Sequence, residues 1–462
     1  MFKAGVYQAR RKQLKELVGS GVIVINGNNE SAMNYKGNPY HFRQDSTFLY
    51  YFGIDLPSFV GIIDCDEDKD YLFGYDFGID DIIWMGDQPS LQEIAARSGI
   101  EHYVSIDQLG DWIRKRQSGT IHWLPQYRAE NILMLSDVLE KTLSEIREQY
   151  SEKLIKAVVT QREIKSDEEV AEIEKALDIS FLTHTTAMKI ARAGMVEREV
   201  VAEMMKIAYA HGARESFPII YSIHGETLHN HYHGNTLEDG KLIVNDSGVE
   251  SPLYYASDIT RTYPVSGKFT EKQKEIYQIV LNSQLEAIDS IKPGVRYKEV
   301  HLIAARVIAA GLVDAGLMKG EPEAIVEAGA HALFFPHGLG HMLGLDVHDM
   351  ENLGENYVGY DETVQRSSQF GLAYLRLAKE LKPGMVLTVE PGIYFIPQLI
   401  SLWKSEGKFD QFINYSKVEE YLDFGGVRIE DDVLVTVDGN KVLGKPIPKS
   451  VEEVEAACRG NI

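Results

Sequence analysis

Leu242-Ile-Val-Asn-Asp-Ser-Gly-Val-Glu250 and Leu253-Tyr-Tyr-Ala-Ser-Asp-Ile-Thr-Arg-Thr-Tyr-Pro-Val265 are two strand-like runs with only Ser251-Pro252 between them, and their reading decides the fold. β-Branched and aromatic residues on both sides of a short Pro-containing loop read as a hairpin. With the loop centred on Pro252, Asp246 and Asp258 fall opposite each other, which places their Cβ atoms roughly 4.5–5.5 Å apart. Like charges so placed either share a proton or bind a cation. The plain alternative for the pair, taken alone, is two surface aspartates on a polar face.

Working outward, helical periodicity covers 167–193 and 196–211 before the hairpin and 271–291 and 300–315 after it, with further strand signals at 386–389 and 427–437. This is an α+β domain. A capping box, Ser166 answered by Glu169, starts its first helix, and the domain boundary is expected near residue 160. The preceding residues mix short apolar runs at 21–25, 59–63 and 71–73 with a helix at 91–97 and a long helical pattern at 131–157, an α/β pattern. The expected organisation is therefore a smaller N-terminal domain, 1–160, and a larger one, 161–462. Two polar and aromatic interruptions, 351–382 and 397–425, read as insertions near a site.

Three further segments offer ligands of the same kind as the aspartates. His337-Gly-Leu-Gly-His341 sets two imidazoles four residues apart, and its glycines favour extended or turning backbone over a zinc-binding helix. Val386-Leu-Thr-Val-Glu390 and Gly426-Val-Arg-Ile-Glu430 each end an apolar strand on an acid, which is costly to bury unpaired. Asp246, Asp258, His341, Glu390 and Glu430 together match two hard divalent ions, four negative charges against four positive. Oxygen-rich ligation favours manganese, cobalt or magnesium over thiolate-seeking metals. Two ions roughly 3.5–4 Å apart generate a nucleophilic hydroxide at neutral pH and suit peptide or ester hydrolysis. Leu228-His-Asn-His-Tyr-His-Gly-Asn235 carries histidines at alternate positions, which in a strand share one face, and a mononuclear His-rich zinc site is the competing reading.

Composition bounds the partners. The chain has 462 residues, 44% hydrophobic and 25% charged, in the globular range and long enough for two domains. A net charge of -22 disfavours nucleic acid. Cys65 and Cys458 form no cluster, which excludes a disulfide framework, and no run of eighteen apolar residues occurs. A cytoplasmic protein without membrane spans is expected.

The motifs Asp-Ser-Gly at 246, Ser-Asp-Ile-Thr-Arg-Thr at 257, His-Gly-Leu-Gly-His at 337, Val-Glu-Pro-Gly at 389 and Arg-Ile-Glu-Asp at 428 resemble the Xaa-Pro aminopeptidase and prolidase family. The resemblance covers about 300 residues as a pita-bread metallopeptidase domain, preceded by the family's smaller α/β domain. It implies that Asp246 binds one ion, Asp258 and Glu430 bridge, and His341 with Glu390 complete the second, manganese first, cobalt or zinc as alternatives. The family's two aspartates are usually one residue closer, and a β-bulge is expected to absorb the extra residue. The resemblance further implies that His229 stabilises an oxyanion, His337 binds the substrate backbone, His348 stands beyond the scissile bond, and Glu390 shuttles a proton to the leaving nitrogen. Arg428, two residues before Glu430 and on the same strand face, is expected to orient a carboxylate ligand; the alternative is a surface ion pair.

Trp84 resembles the family's tryptophan that reaches a neighbouring subunit's site, which implies a homo-oligomer, dimer or tetramer; a core tryptophan is the other reading. Tyr254, Tyr255 and Tyr394 are candidates for a proline-sized pocket, although aromatics beside strands are often core. The implied substrate is a peptide with proline in second position. A strict Xaa-Pro dipeptidase is the alternative, for which Arg366 and Arg376 are candidate carboxylate partners. A metal-free creatinase-like hydrolase or a non-catalytic peptide binder conflicts with five competent ligand positions, and a methionine aminopeptidase would need neither the N-terminal domain nor the Arg-Thr-Tyr-Pro-Val strand.

Overall fold

The computed structural model describes residues 1–460, in two compact units: 1–162 with 350–357, and 163–349 with the chain from 358 onward. The first unit is built on a mixed five-stranded sheet in the order His102–Ser105, Lys69–Gly74, Val60–Asp64, Val22–Asn26, Ile121–His122. Every residue of Val22–Asn26 and of Val60–Asp64 is buried. Covered on both faces, these central strands read as unbroken apolar runs rather than alternating ones. On one side Val22, Val24, Val60, Ile62 and Phe73 pack with Leu109, Ile113, Leu135 and Val138.

The helical pattern at 131–157 resolves into three helices, Ala129–Leu139, Leu143–Glu148 and Glu152–Arg162. The breaks have local causes. Glu140 adopts a left-handed φ of 54° at the first C-cap, and Thr142 caps the next helix by exchanging hydrogen bonds with Glu145. Trp84 does not join a core. It is 86% exposed on Ile79–Met85, a helix with no buried residue.

In the second unit two helix pairs pack within themselves, Asp167–Ile190 with Glu197–Ala210 and Glu271–Ser290 with Tyr297–Asp314. The Ser166–Glu169 capping box is present, and Thr270 with Gln273 forms another. Among the described residues four short sheets complete the unit, one of them the two-residue pairing of Arg214–Glu215 with Val249–Glu250. Another has the order Ile259–Pro264, Leu242–Ser247, Ile220–Ser222; a third runs Val386–Val389, Asp431–Val435, Asn440–Val442; and Gly392–Tyr394 pairs with Gly426–Arg428. The interruption at 397–425 folds mainly as the helix Pro397–Ser405 and the single turn Tyr415–Val418. Among the described residues no helix is long and apolar enough to cross a membrane.

Candidate metal centre

The hairpin forms, in a register different from the expected one. Asp246 pairs with Thr260, and the same register holds at the Glu250–Ala256 bridge. Asp258 therefore lies diagonal to Asp246, not opposite it. The diagonal keeps both side chains on one face while relaxing their repulsion. No bulge interrupts this register, contrary to expectation; the strands connect through a turn at 251–255, where Tyr254 takes a φ of 68° and its N–H donates to the Ser251 carbonyl.

Glu390 and Glu430 come from a gap in a second ladder. Val389 pairs with Asp431 and Gly392 with Arg428, so the acids face each other across the interval between the two paired stretches. Pro391 has no N–H to bridge the gap. The Glu390 amide instead donates to the Leu339 carbonyl at 2.8 Å, and the Glu430 amide to the Thr260 carbonyl at 3.0 Å. His341 arrives on an extended segment beside Val386–Val389, bonded through the Thr388 amide to the His341 carbonyl. A Cβ at Gly340 would lie 2.1 Å from the Thr388 carbonyl oxygen, so only glycine allows this approach.

These elements bring together the five ligand candidates. His341 Nε2 lies 3.4 Å from Asp258 Oδ2 and 3.7 Å from Glu390 Oε1. One ligating atom from each of Asp258, His341 and Glu430 falls within 4.8 Å of the others, and all three residues are buried. His341 Nδ1 is 3.1 Å from the Met342 carbonyl, which assigns the proton to Nδ1 and leaves the Nε2 lone pair facing the acids. Asp246 Oδ1, Asp258 Oδ1 and Glu430 Oε1 are buried without a protein hydrogen bond. Orphaned carboxylate oxygens around a neutral imidazole are a donor set for hard divalent cations, and the residues fit such ions.

The electrostatics agree. Burial, then the charges of neighbouring acids, pushes the carboxyls of Asp258, Glu390 and Glu430 well above their usual range. Burial and His348 push His341 well below its own. A cation would reverse the first shift and reinforce the second, because it favours the ionised carboxylates and the neutral imidazole alike.

Arg428 is buried and not a surface ion pair. Its Nη2 bonds Asp246, its Nη1 donates to the Tyr394 hydroxyl at 2.8 Å and its Nε to Thr260 Oγ1 at 3.2 Å. Tyr394 in turn lies 2.9 Å from His337 Nε2, and His337 Nδ1 lies 2.8 Å from the Gly338 carbonyl. Burial and the Arg428 charge hold His337 down at about 3, so its ring is neutral.

A cavity of about 530 Å³ opens over these groups, lined by all five ligand candidates with His229, His231, His337, His348 and Arg428. His348 stacks edge-on against His341, ring centres 4.1 Å apart. The histidine segment at 229–233 is not a strand, so alternation does not put its rings on one face. His229 and His231 face the cavity, whereas His233 Nε2 is spent 2.9 Å from the Ile219 carbonyl. Tyr255 lies elsewhere, with its hydroxyl 3.0 Å from Glu169, and Tyr254 is taken up by the turn. Of the two arginines in the first interruption only Arg376 lines the cavity, beside Phe370 and Tyr374. Arg366 packs over Tyr360 and donates to the Ala373 carbonyl.

Two supporting residues have no sequence signal of their own. Thr260 donates its hydroxyl to Glu430 Oε2 at 2.8 Å, and Asp432 Oδ2 accepts the Asp258 amide at 3.1 Å. Only the register of Ile259–Pro264 singles out Thr260, and Asp432 reads as one more acid in Glu-Asp-Asp.

Fold and donor set define a metal-dependent hydrolase. Residues 171–437 match metallopeptidase family M24, and residues 7–122 match the N-terminal domain of aminopeptidase P. The chain belongs to metallopeptidase family M24. It is 35% identical to a probable Xaa-Pro aminopeptidase of Botryotinia fuckeliana over 96% of this chain and 93% of that one. To the Xaa-Pro dipeptidase of Homo sapiens it is 32% identical over 95% and 89%. The structure of Escherichia coli aminopeptidase P with the inhibitor Pro-Leu superposes with a TM-score of 0.82 at 29% identity, covering 100% of this chain and 99% of that one. The α+β pita-bread domain and the smaller α/β domain before it are thus borne out, and the family's chemistry requires divalent metal.

Proposed function

We propose that this chain is a Xaa-Pro aminopeptidase whose residues 161–462 hold two divalent ions, manganese before cobalt or zinc, on Asp246, Asp258, His341, Glu390 and Glu430. The observation that carries the proposal is the set of three buried carboxylate oxygens without partners, beside His341 Nε2, on the wall of a single cavity. When bound, such ions supply Lewis acidity and an activated water.

The chain's own groups do the rest. Arg428 fixes Asp246, and Thr260 fixes Glu430. Glu390, whose side chain keeps 19% of its surface open, carries the proton to the leaving nitrogen. A prolyl nitrogen has no N–H and leaves well only when protonated. His229 faces the developing oxyanion, His337 the substrate backbone, and His348 the far side of the scissile bond. The substrate is a peptide with proline in second position, as the names of the relatives suggest.

Arg376 in the cavity favours one second reading, a dipeptidase that recognises the free carboxylate of Xaa-Pro. Chelator-treated protein, assayed on an Xaa-Pro-Yaa tripeptide and an Xaa-Pro dipeptide with and without Mn²⁺, separates the readings. Metal-restored release of the first residue from the tripeptide is expected. Turnover confined to the dipeptide selects the dipeptidase, and no turnover of either leaves a peptide-binding protein.

We place the protein in the cytosol, in keeping with the free thiols of Cys65 and Cys458, and take it to be a homo-oligomer through the exposed Trp84 helix. Trp84→Ala is expected to lower the mass seen by analytical ultracentrifugation; an unchanged mass removes that helix from the interface.

A further inference from the structure

Lys165 and Asp349 form an ion pair at 2.9 Å in which each side chain is only 1% exposed. A pair so deeply buried is poorly explained by stability, because apolar residues of similar volume commonly serve as well or better. Its surroundings suggest another use. Asp349 closes the turn that carries His341 at one end and His348 near the other: its amide donates to the Met342 carbonyl at 2.9 Å, and its Oδ1 accepts from the Asp346 amide at 3.3 Å. The carboxylate lies so close to the turn that a Cβ at Gly344 would sit 2.5 Å from Asp349 Oδ2. The Gly344 carbonyl accepts from the Ala256 amide at 2.8 Å, which ties the same turn to the Asp246–Asp258 hairpin.

Lys165 itself is fixed from both sides. Its amide donates to the Gly384 carbonyl at 2.8 Å, in the segment that leads into Val386–Val389 and Glu390. Two residues earlier, Glu163 pairs with Lys379 at 2.6 Å and Lys382 at 2.7 Å. Residues 163–165 thus form a strap fastened to the segment before the Glu390 strand and, through the Lys165 ammonium, to the His341–His348 turn.

We propose that Lys165 is a positioning residue: its ion pair with Asp349 sets the seat of His348 against His341 for the hydrolytic reaction. The proposal rests on the hydrolytic reading above. Since either single substitution strands a buried charge, the test is the double variant Lys165→Met with Asp349→Leu, with Lys165→Arg as the conservative partner.

The double variant is expected to fold with a thermal midpoint at or above that of the wild type. Its KM should stay within about twofold while kcat falls by about tenfold to a hundredfold, the cost of a small misplacement near the reacting groups. A crystal structure of the metal-loaded double variant should show the His348 ring displaced from its 4.1 Å contact with His341. Lys165→Arg, which keeps the charge, should recover a large part of kcat. Wild-type kcat in the double variant, or an unmoved His348 ring, overturns the proposal. An inactive wild type would sink the hydrolytic reading instead and leave the ring position to decide the positional claim.

Discussion

Asp258→Ala is expected to yield a folded protein that has lost at least half of its bound metal and hydrolyses peptides only at background. Asp258 is buried, one of its oxygens has no partner, and the other lies 3.4 Å from His341 Nε2. In the metal-free protein this carboxyl is a liability, because burial and its acidic neighbours push it well above its usual range. Removing it should therefore leave thermal stability in chelator equal to or above that of the wild type. Added Mn²⁺ should separate the two proteins. A site filled at one hundred times its dissociation constant stabilises a fold by about 2.7 kcal/mol, and the variant should lose much of that rise. Glu430→Ala should behave alike. Metal analysis, thermal melts with and without Mn²⁺, and a peptide assay test the set; full activity in either variant would remove the two-metal assignment.

Arg261→Met carries the largest expected loss of stability. All five N–H groups of this buried guanidinium are used: Nε donates to Pro448, Nη1 to the Thr260 and Glu430 carbonyls, and Nη2 to Asp431 Oδ1 and the Ile447 carbonyl. Breaking such a pair by removing one partner costs about 3–5 kcal/mol, to be read from urea unfolding, and lysine should rescue little because a point charge cannot replace the fork.

The acid limb of stability should move too. Burial alone would raise the Asp431 carboxyl, but Arg261 and Lys449 outweigh it and hold it at about 2, below its ordinary 3.8. A lowered folded value means that its contribution, about 2 kcal/mol, is complete above the ordinary range and disappears as pH falls toward 2. Without Arg261 the folded value rises, so the acid-unfolding midpoint should shift to higher pH. Wild-type urea and acid profiles would show that Arg261 does not support the strand bearing Glu430.

The candidate centre was legible in the sequence largely because Glu390 and Glu430 end apolar strands, where an unpaired acid is costly to bury. Helix starts were equally legible: Ser166 and Glu169 form the expected box. What was hidden depends on register and on competition between local signals. A shift of one position on each strand turned Asp246 and Asp258 from opposite to diagonal neighbours, and no propensity distinguishes those alternatives. The apolar periodicity at 131–157 concealed two helix ends set by Glu140 and Thr142. Histidines 229 to 233 alternate as a strand would, yet the segment turns, so only two of the three reach the cavity.

The ladder gap at Glu390 and Glu430 also bears on the order in which the fold is acquired. The hairpin with Asp246 and Asp258 can close early on local contacts, but it is locked by groups far along the chain: Thr260 meets Glu430 across 170 positions, and Arg428 meets Asp246 across 182. Contacts of such sequence separation form late, after the entropy of closing the intervening loop has been met. Until the strands at 426–435 dock, two diagonally placed aspartates share one face of the hairpin with neither the Arg428 counter-charge nor Glu430 beside them. On the proposed assignment, metal capture would report that the last strands are in place, and loss of those strands would release the ions.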